Sequence, residues 1–247
     1  MSRIEGAVAL VTGANRGVGL AIVEELLERG AARVYAGVRD PAEPAPPGSE
    51  RVQLDITDRT QVAAAAAECG DVTLLVNNAG YFANQRLVLT DDDEAARREM
   101  EVNYFGTLAM TRAFAPILGR NGGGTIVNVL SVAAVVPAAF MGGYSTSKAA
   151  SHYLSVITRA ELEPQGTQVT ALVLGSVDTR MAAHVEGNKA DPRDIAKVGL
   201  DGVEAGASTV ATDRMAIDAM AAHAADPETF ERQLAKLLRV ATLRAPG

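Results

Sequence analysis

The sequence predicts an α/β fold, a single domain built on a doubly wound parallel sheet. Short apolar runs alternate with helical stretches, the order expected when parallel strands are joined by right-handed helical crossovers. The apolar runs are nearly continuous, which is typical of strands buried on both faces. The 247 residues could form one large domain or two small ones, but no repeat or Gly/Ser-rich linker divides them. We therefore expect one domain spanning residues 1–247.

Six apolar runs are the main strand candidates, and helical periodicity falls between them. The predicted strands are 7–12, 33–38, 51–55, 72–78, 124–131 and 168–174. The predicted helices are 20–30, 58–68, 91–117 and 144–162, with a weaker strand at 207–212 and a final helix at 227–238. Four prolines between Asp40 and Glu50 argue against a regular helix in the second crossover.

Composition narrows the possible partners. The net charge of −7 argues against nucleic acid or an anionic membrane surface as the main partner. A single cysteine, Cys69, rules out an internal disulfide, and the three histidines are too far apart in sequence to suggest a metal pair. The first residues lack a signal-peptide pattern, and the charge-free run 121–147 is too polar for a membrane span. We expect a cytoplasmic protein with no metal site.

The turn "TGANRGVG" joins the first predicted strand to the first helix. Its three glycines allow backbone N–H groups to approach a pyrophosphate at the positive end of a helix. Glycines alone also fit a tight turn without a ligand, but the carboxyl end of a strand in an open α/β sheet favours a dinucleotide site. The predicted cofactor contacts of this turn are Gly13, Asn15, Arg16, Gly17, Val18 and Gly19.

The end of the second predicted strand indicates which dinucleotide binds. An acidic residue there favours NAD, whereas an arginine favours the 2′-phosphate of NADP. Val38 occupies the expected acidic position, Arg39 follows it, and Arg16 lies in the glycine turn. Two guanidinium groups can hold a phosphate through paired hydrogen bonds, so we predict NADP(H). Asp40 keeps NAD(H) open as the alternative.

Tyr144 and Lys148 are four residues apart at the start of a predicted helix, so they share one helical face. The chain contains only four lysines, and the 23 residues before Tyr144 carry no charge. A surface tyrosine beside a solvated lysine is the alternative interpretation. A neighbouring cation and a helix N-terminus are expected to lower the phenol pKa, which suits Tyr144 to exchange a proton with a carbonyl or alcohol. Ser131, at the end of a predicted strand, can hold the same substrate oxygen.

Seven ordered motifs between residues 5 and 180 resemble the short-chain dehydrogenase/reductase family, in its single-domain branch. They are "TGANRGVG" (12–19), "LDITD" (54–58), "NNAG" (77–80), "VNYFGTL" (102–108), "VNVLS" (127–131), "YSTSK" (144–148) and "LGSVDT" (174–179). The resemblance implies a Rossmann-like fold and an NADP-dependent oxidoreductase of the carbonyl reductase type.

The resemblance also assigns roles to individual residues. The implied catalytic tetrad is Asn103, Ser131, Tyr144 and Lys148, in which Lys148 lowers the phenol pKa and Asn103 anchors a water. The implied cofactor contacts, beyond the glycine turn and Arg39, are Asp55, Ile56, Asn78, Ala79, Gly80, Tyr144, Lys148, Val177 and Thr179. A homodimer or homotetramer, formed through helices 91–117 and 144–162, is expected by the same resemblance.

The apolar segment 132–143 and the segment 180–205 are expected to bound and cover the substrate. Apolar walls suit a hydrophobic ketone or aldehyde, or the corresponding alcohol. The candidate substrate contacts are Ala133, Phe140, Met141, Met181 and His184. We interpret His184 as a wall or surface residue, with a second acid or base as the alternative. A non-catalytic NADP-binding regulator and a nucleotide-sugar epimerase or dehydratase remain rival functions, but the intact tyrosine set and the short C-terminal region favour a reductase.

Overall fold

The computed structural model describes residues 3–243. For residue 237 and for residues 239–243 it describes the backbone and not the side chains. Seven parallel strands form one sheet in the order β3-β2-β1-β4-β5-β6-β7. The strands are β1 (Val8–Thr12), β2 (Arg33–Val38), β3 (Glu50–Gln53), β4 (Leu74–Asn77), β5 (Gly124–Ser131), β6 (Thr167–Leu174) and β7 (Thr209–Ala211). The strand order reverses between β1 and β4, so the predicted doubly wound parallel α/β fold is confirmed.

The described residues contain eight α-helices. They are α1 (Gly17–Glu28), α2 (Arg59–Glu68), α3 (Ala95–Met100), α4 (Thr107–Arg120), α5 (Gly142–Leu162), α6 (Pro192–Glu204), α7 (Arg214–Ala225) and α8 (Pro227–Leu243). One apolar core joins α1 and α6 to one face of the sheet, and another joins α2 and α4 to the opposite face. Residues 40–49 form no helix, as the prolines predicted.

The predicted helix at 91–117 is divided into three parts. A π-helical segment, Glu101–Gly106, separates α3 from α4 and contains Asn103. Such segments widen the helix locally and are frequent at functional sites. The insertion displaces the backbone around Asn103 from the regular α-helical pattern.

The C-terminal third differs most from the expectation. Residues 192–204 were expected to cover the substrate, but they form α6, which begins at the Asp191 cap and packs against α1. Ile195 and Leu200 are fully buried there, so this part of the expected cover belongs to the core. Of the expected cover, residues 180–191 precede α6. The sequence also missed α7, whose N-cap is Asp213.

Helices α7 and α8 place the C-terminal region beside the expected substrate wall. α7 packs against residues 132–134, and α8 packs against residues 139–141. The short strand β7 lies at the sheet edge, as expected for 207–212. The chain therefore ends in a helical pair beside the region predicted to bind substrate. Within residues 3–243, no helix is both long and apolar enough to cross a membrane.

Candidate active site

The expected site residues gather at the carboxyl edge of the sheet. The turn after β1 lies beside the segment after β4 on one side and beside the segment that follows β6 on the other. A Cβ on Gly13 would lie 3.1 Å from the Ala79 Cα, and a Cβ on Gly17 would lie 3.0 Å from the Thr179 Cγ2. Three of the sequence motifs, "TGANRGVG", "NNAG" and "LGSVDT", therefore converge on one edge of the sheet, as expected for a ligand site at the strand-order reversal.

The glycine turn is shaped for close backbone approach. Gly13 and Gly17 have φ values of 63° and 54°, in the left-handed region that glycine adopts without strain. A Cβ on Gly19 would lie 2.2 Å from the Gly13 carbonyl oxygen, so no larger residue fits. Arg16 precedes α1 and its side chain makes no capping hydrogen bond, whereas Asp58 caps α2. The N–H groups of the first turn of α1 are thus available to an anion.

Thr12 fixes the position of this turn relative to β4, and sequence reasoning missed it. Its Oγ1 accepts hydrogen bonds from the backbone N–H groups of Asn78 and Ala79, both at 3.0 Å. The Asn78 side chain donates in turn to the carbonyl oxygens of Thr12 and Gly13, at 2.9 and 3.1 Å. Asn78 therefore holds the glycine turn in place through these two hydrogen bonds, in addition to any contact with a cofactor.

The predicted phosphate-binding arginines lie at the open end of this turn. Arg39 is exposed at the end of β2, where Val38 is buried. Arg16 forms an ion pair of 3.6 Å with Glu43, which extends from the proline-rich loop and also accepts a hydrogen bond from Asn15. Sequence reasoning did not single out Glu43. In this structure the loop carboxylate thus partly neutralises Arg16, while the Arg39 guanidinium faces solvent.

Asp55 and Ile56 follow β3 and lie farther along the same edge. The Asp55 carboxylate accepts hydrogen bonds from the backbone N–H and the hydroxyl of Thr57, at 2.9 and 2.7 Å. Ile56 is buried and lies against Gly106. A Cβ on Gly106 would lie 2.7 Å from the Cδ1 of Ile56. Asp55 is held in place by Thr57, while Ile56 contributes a hydrophobic wall.

Tyr144, Ser131 and Lys148 meet as expected. Tyr144 lies in the first turn of α5, its hydroxyl forms a hydrogen bond with the Ser131 hydroxyl, and the Lys148 Nζ lies 5.8 Å from the centre of its ring. Lys148 donates to the Val129 carbonyl oxygen at 3.0 Å. The Ser131 Oγ also accepts from the Ala133 N–H at 3.2 Å. The alternative of a surface tyrosine with a solvated lysine is wrong, because both side chains are buried.

The expected lowering of the phenol pKa is also wrong for this structure. Burial raises the pKa of Tyr144 to about 12, and this outweighs the hydrogen bond from Ser131, which lowers it. Burial lowers the pKa of Lys148 to about 8, so the amine carries its charge at a cost. The ammonium is directed to a carbonyl oxygen rather than to the phenol oxygen. Tyr144 is therefore a protonated acid at neutral pH.

Asn103 makes hydrogen bonds to two other parts of the chain through its side chain and its backbone. Its amide accepts from the Tyr81 N–H at 2.8 Å and donates to the Tyr81 carbonyl and the Ser147 hydroxyl, both at 2.9 Å. Its backbone carbonyl accepts from the hydroxyls of Thr107 and Ser151. Asn103 thus ties the loop after β4 to α5. Its Oδ1 and the Lys148 Nζ both line the space beside Gly80, where a Cβ would approach them to 3.2 and 3.6 Å.

Val177 and Thr179 lie opposite the glycine turn. Val177 is buried and pairs with Ala190 in a parallel bridge, so the segment 180–190 leaves the sheet edge and returns to it. The Thr179 side chain borders Gly17, at the contact given above. The turn before them is fixed by Asp213, which accepts from the Gly175 N–H at 2.7 Å. Asp213 therefore couples the start of α7 to this side of the site.

The candidate substrate residues divide into two groups. Ala133 and Met141 pack in one cluster with Tyr144, whereas Phe140 and Met181 are 41% and 43% exposed. His184 is exposed but its ring lies 5.4 Å from the ring of Phe82. Phe82 also makes an edge contact of 5.0 Å with Tyr144. Sequence reasoning missed Phe82, although it lies only two residues after the "NNAG" motif.

A protonated phenol, a serine hydroxyl and a buried lysine lie together at the sheet edge that also carries the glycine turn. This arrangement has the features of an oxidoreductase site. Within the described residues, no group of three His, Cys, Asp or Glu side chains could hold a metal ion.

Comparison with known proteins supports this class. Residues 7–190 match the family model described as short chain dehydrogenase. A short chain dehydrogenase of Monascus purpureus is 33% identical over 198 residues, covering 73% of this chain and 68% of that protein. The galactitol 2-dehydrogenase (L-tagatose-forming) of Cereibacter sphaeroides is 36% identical over 190 residues, covering 72% and 74%.

A solved structure gives a closer likeness. The crystal structure of a short chain dehydrogenase from Burkholderia cenocepacia J2315, in complex with NADP, has a TM-score of 0.90 and 45% identity to this chain. The match covers 94% of this chain and 98% of that one. The chain belongs to the short-chain dehydrogenase/reductase family, as the sequence motifs predicted.

Proposed function

We propose that the protein is an NADPH-dependent oxidoreductase that reversibly reduces an apolar ketone or aldehyde to an alcohol, with Tyr144 as the acid and base. The observation that carries the proposal is the buried hydrogen bond between Ser131 and Tyr144, with Lys148 beside the phenol ring. A regulator that only binds a dinucleotide has no need to bury this set of polar groups, since each one costs free energy to desolvate.

The residues present fit a dinucleotide. The glycine turn leaves space that a Cβ would fill, and the first turn of α1 offers its N–H groups to a pyrophosphate. We assign the adenine side to Asp55 and Ile56, the middle of the cofactor to Asn78, Ala79 and Gly80, and the nicotinamide side to residues 177–179. Lys148, next to Gly80, is placed to hold the nicotinamide ribose.

The preference for NADP rests on Arg16 and Arg39. Both lie at the open end of the glycine turn, and guanidinium groups bind phosphate through paired hydrogen bonds. Glu43 competes for Arg16, so we assign the larger contribution to Arg39. The NADP complex of the relative from Burkholderia cenocepacia supports the same cofactor.

The proton chemistry follows from the side chains. Bound NADPH supplies the hydride for the carbonyl carbon. The hydroxyls of Ser131 and Tyr144 hold the carbonyl oxygen, and the Tyr144 O–H bond breaks as its proton passes to that oxygen. The phenolate that remains then recovers a proton, for which the Lys148 ammonium, with a pKa of about 8, is a buried donor beside the ring. Alcohol oxidation runs these steps in reverse.

The substrate walls are largely apolar. Phe82, Met141 and Ala133 pack around Tyr144, and Phe140 and Met181 are exposed nearby along the chain segments that bound the site. We propose that residues 180–191 cover the substrate and that His184 serves as a wall residue in contact with Phe82. Such walls favour a hydrophobic carbonyl compound over a sugar.

We also propose that two copies associate through α4 and α5. A groove of about 600 Å³ runs between these helices and is lined by Met100, Tyr104, Leu108, Tyr153 and Ile157. Tyr153 and Ile157 are 69% and 54% exposed, which is unusual for large apolar side chains on one helix face. The family resemblance indicates a homodimer or homotetramer formed on this face.

The direct test follows reduced-cofactor absorbance with a panel of ketones and aldehydes, using NADPH and NADH in parallel, and with a panel of polyols, using NADP+ and NAD+ in parallel. We expect NADPH to be consumed with apolar ketones or aldehydes and NADH to be consumed more slowly. Tight NADPH binding with no turnover across the panel would support the regulator instead. Faster turnover of polyols with NAD would overturn both the substrate class and the cofactor assignment.

A further inference from the structure

Glu99 is a buried carboxyl group that the proposed reaction does not use. Its side chain is only 1% exposed, although it lies on the short helix α3 among exposed charged residues. Burying a carboxylate is costly unless it accepts hydrogen bonds or meets positive charge. Its surroundings therefore need a physical account.

Two contacts place Glu99 at the catalytic tyrosine. Its Oε1 accepts from the Ala83 N–H at 2.8 Å, which fixes the loop that carries Phe82 over the Tyr144 ring. Its Oε2 lies against the first turn of α5, where a Cβ on Gly143 would approach it to 2.6 Å. The carboxylate thus occupies the N-terminal end of the same helix that carries Tyr144 in its first turn.

This position has an electrostatic consequence. A helix N-terminus behaves as a partial positive charge and stabilises a phenolate, but a carboxylate at that end compensates it. The negative charge of Glu99 raises the pKa of Tyr144, in addition to the larger effect of burial. Burial in turn raises the pKa of Glu99, and the nearby Arg98 charge acts in the opposite direction.

The other charged groups around Glu99 do not take over its role. Arg98, on the same helix, is engaged by Asp92 and by the Tyr81 hydroxyl. Lys148 donates to the Val129 carbonyl and lies beside Gly80, and the His184 ring contacts Phe82.

We propose that Glu99 is a positioning residue of the active site, which holds the Phe82 loop over the phenol and disfavours the phenolate form of Tyr144. The inference rests on the proposed function, because it assigns Glu99 a part in the same acid–base step. It disfavours alcohol oxidation, in which Tyr144 must enter the reaction as the phenolate.

The variant that separates charge from shape is Glu99→Gln. Glutamine keeps an oxygen to accept from the Ala83 N–H but removes the negative charge. We expect the midpoint of the pH profile for alcohol oxidation to move to lower pH, so that at a fixed pH below the midpoint oxidation is faster by about threefold or more. Glu101→Gln, an exposed change two residues away, is the matched control and is expected to leave the profile unchanged.

A second readout does not depend on turnover. The ultraviolet titration of Tyr144 is obtained as the difference between each protein and its Tyr144→Phe counterpart, and Glu99→Gln is expected to shift it to lower pH. An unchanged titration midpoint overturns the electrostatic role of Glu99, as does an equal shift in Glu101→Gln. A shifted titration in a protein that turns over no carbonyl or alcohol supports Glu99 and refutes the proposed function.

Discussion

Lys148 is a charged residue in surroundings that oppose its charge. It is 6% exposed, it lies beside a phenol that stays neutral, and its single described hydrogen bond is to the Val129 carbonyl. Burial lowers its pKa to about 8, from an ordinary value of 10.5. The buried ammonium thus destabilises the folded state. A charge kept at such a cost is typical of a residue that serves chemistry rather than stability.

This cost predicts that Lys148→Met removes activity but stabilises the fold. Below pH 8 both folded and unfolded chains carry the ammonium, and the penalty is fully present; as pH rises from about 8 to 10.5 the folded group loses its proton first and the penalty disappears. At pH 7 we expect the free energy of unfolding to rise by about 1–3 kcal/mol. Denaturant unfolding at several pH values measures it.

The matched control is Lys197→Met, at an exposed position on α6. It is expected to change the free energy of unfolding little and to leave its pH dependence intact. A Lys148→Met protein that is less stable than the parent at pH 7 contradicts the assigned burial cost.

Sequence reasoning was most reliable for residues that a single element brings together. Tyr144 and Lys148 are four apart on α5, so their proximity follows from helical geometry alone. Glu99 and Phe82 became visible only in three dimensions, because α3 and the loop after β4 reach Tyr144 through long-range packing. The direction of the Tyr144 pKa shift was wrong for a related reason, since burial depends on the whole fold and not on the neighbouring lysine.

At the scale of elements, β2 and the proline-rich loop shape the cofactor's phosphate end. Arg39 directly follows β2 and is exposed to solvent. Glu43, in the loop, forms an ion pair with Arg16 of the glycine turn. The loop replaces a regular helix and allows a carboxylate to reach the turn. The prolines of the loop predicted that no helix forms there. The sequence alone could not predict that the Glu43 side chain would reach Arg16.

We predict that Arg39→Asp weakens NADPH binding by about tenfold or more and leaves NADH binding within about twofold, because the substitution replaces a phosphate partner with a repelling charge. Fluorescence titration of each reduced cofactor measures both affinities. Arg51→Asp, an exposed charge reversal on β3, is the control. If the ratio of NADPH to NADH affinity is the same in Arg39→Asp as in the parent, Arg39 does not contact the phosphate.

Helix α6 shows why element prediction failed in the C-terminal third. Asp191 caps the helix and Pro192 occupies its first turn, a usual start signal, and the buried positions 195, 196, 199, 200 and 203 follow helical spacing. These signals indicate a helix of the core rather than a cover over the substrate. The strands of the first two thirds were recognised because their apolar runs are short and bounded by glycine or polar turns.

At the scale of the whole molecule, the candidate active site lies at one edge of the sheet, and large apolar side chains of α5 are exposed on a different surface. The α4–α5 face predicts that Ile157→Asp dissociates the oligomer, since a carboxylate buried between two copies lacks a partner. Sedimentation analysis is expected to show a lower mass than for the parent protein. Val198→Asp, at an exposed apolar position on α6, serves as the control and is expected to leave the mass unchanged.

An unchanged mass for Ile157→Asp, in a parent that is an oligomer, would place the interface elsewhere. A monomeric parent would refute the proposed association altogether.

The measurement that tests the central claim most directly compares the parent with Tyr144→Phe in NADPH-dependent reduction of a carbonyl substrate, with NADPH affinity measured on the same samples. The phenol hydroxyl alone is lost, so we predict that turnover falls by about three orders of magnitude or more while the NADPH dissociation constant changes by less than about threefold. Tyr153→Phe, on the exposed face of the same helix, is expected to behave like the parent. Turnover within about tenfold of the parent in Tyr144→Phe would contradict the assignment of Tyr144 as the acid and base.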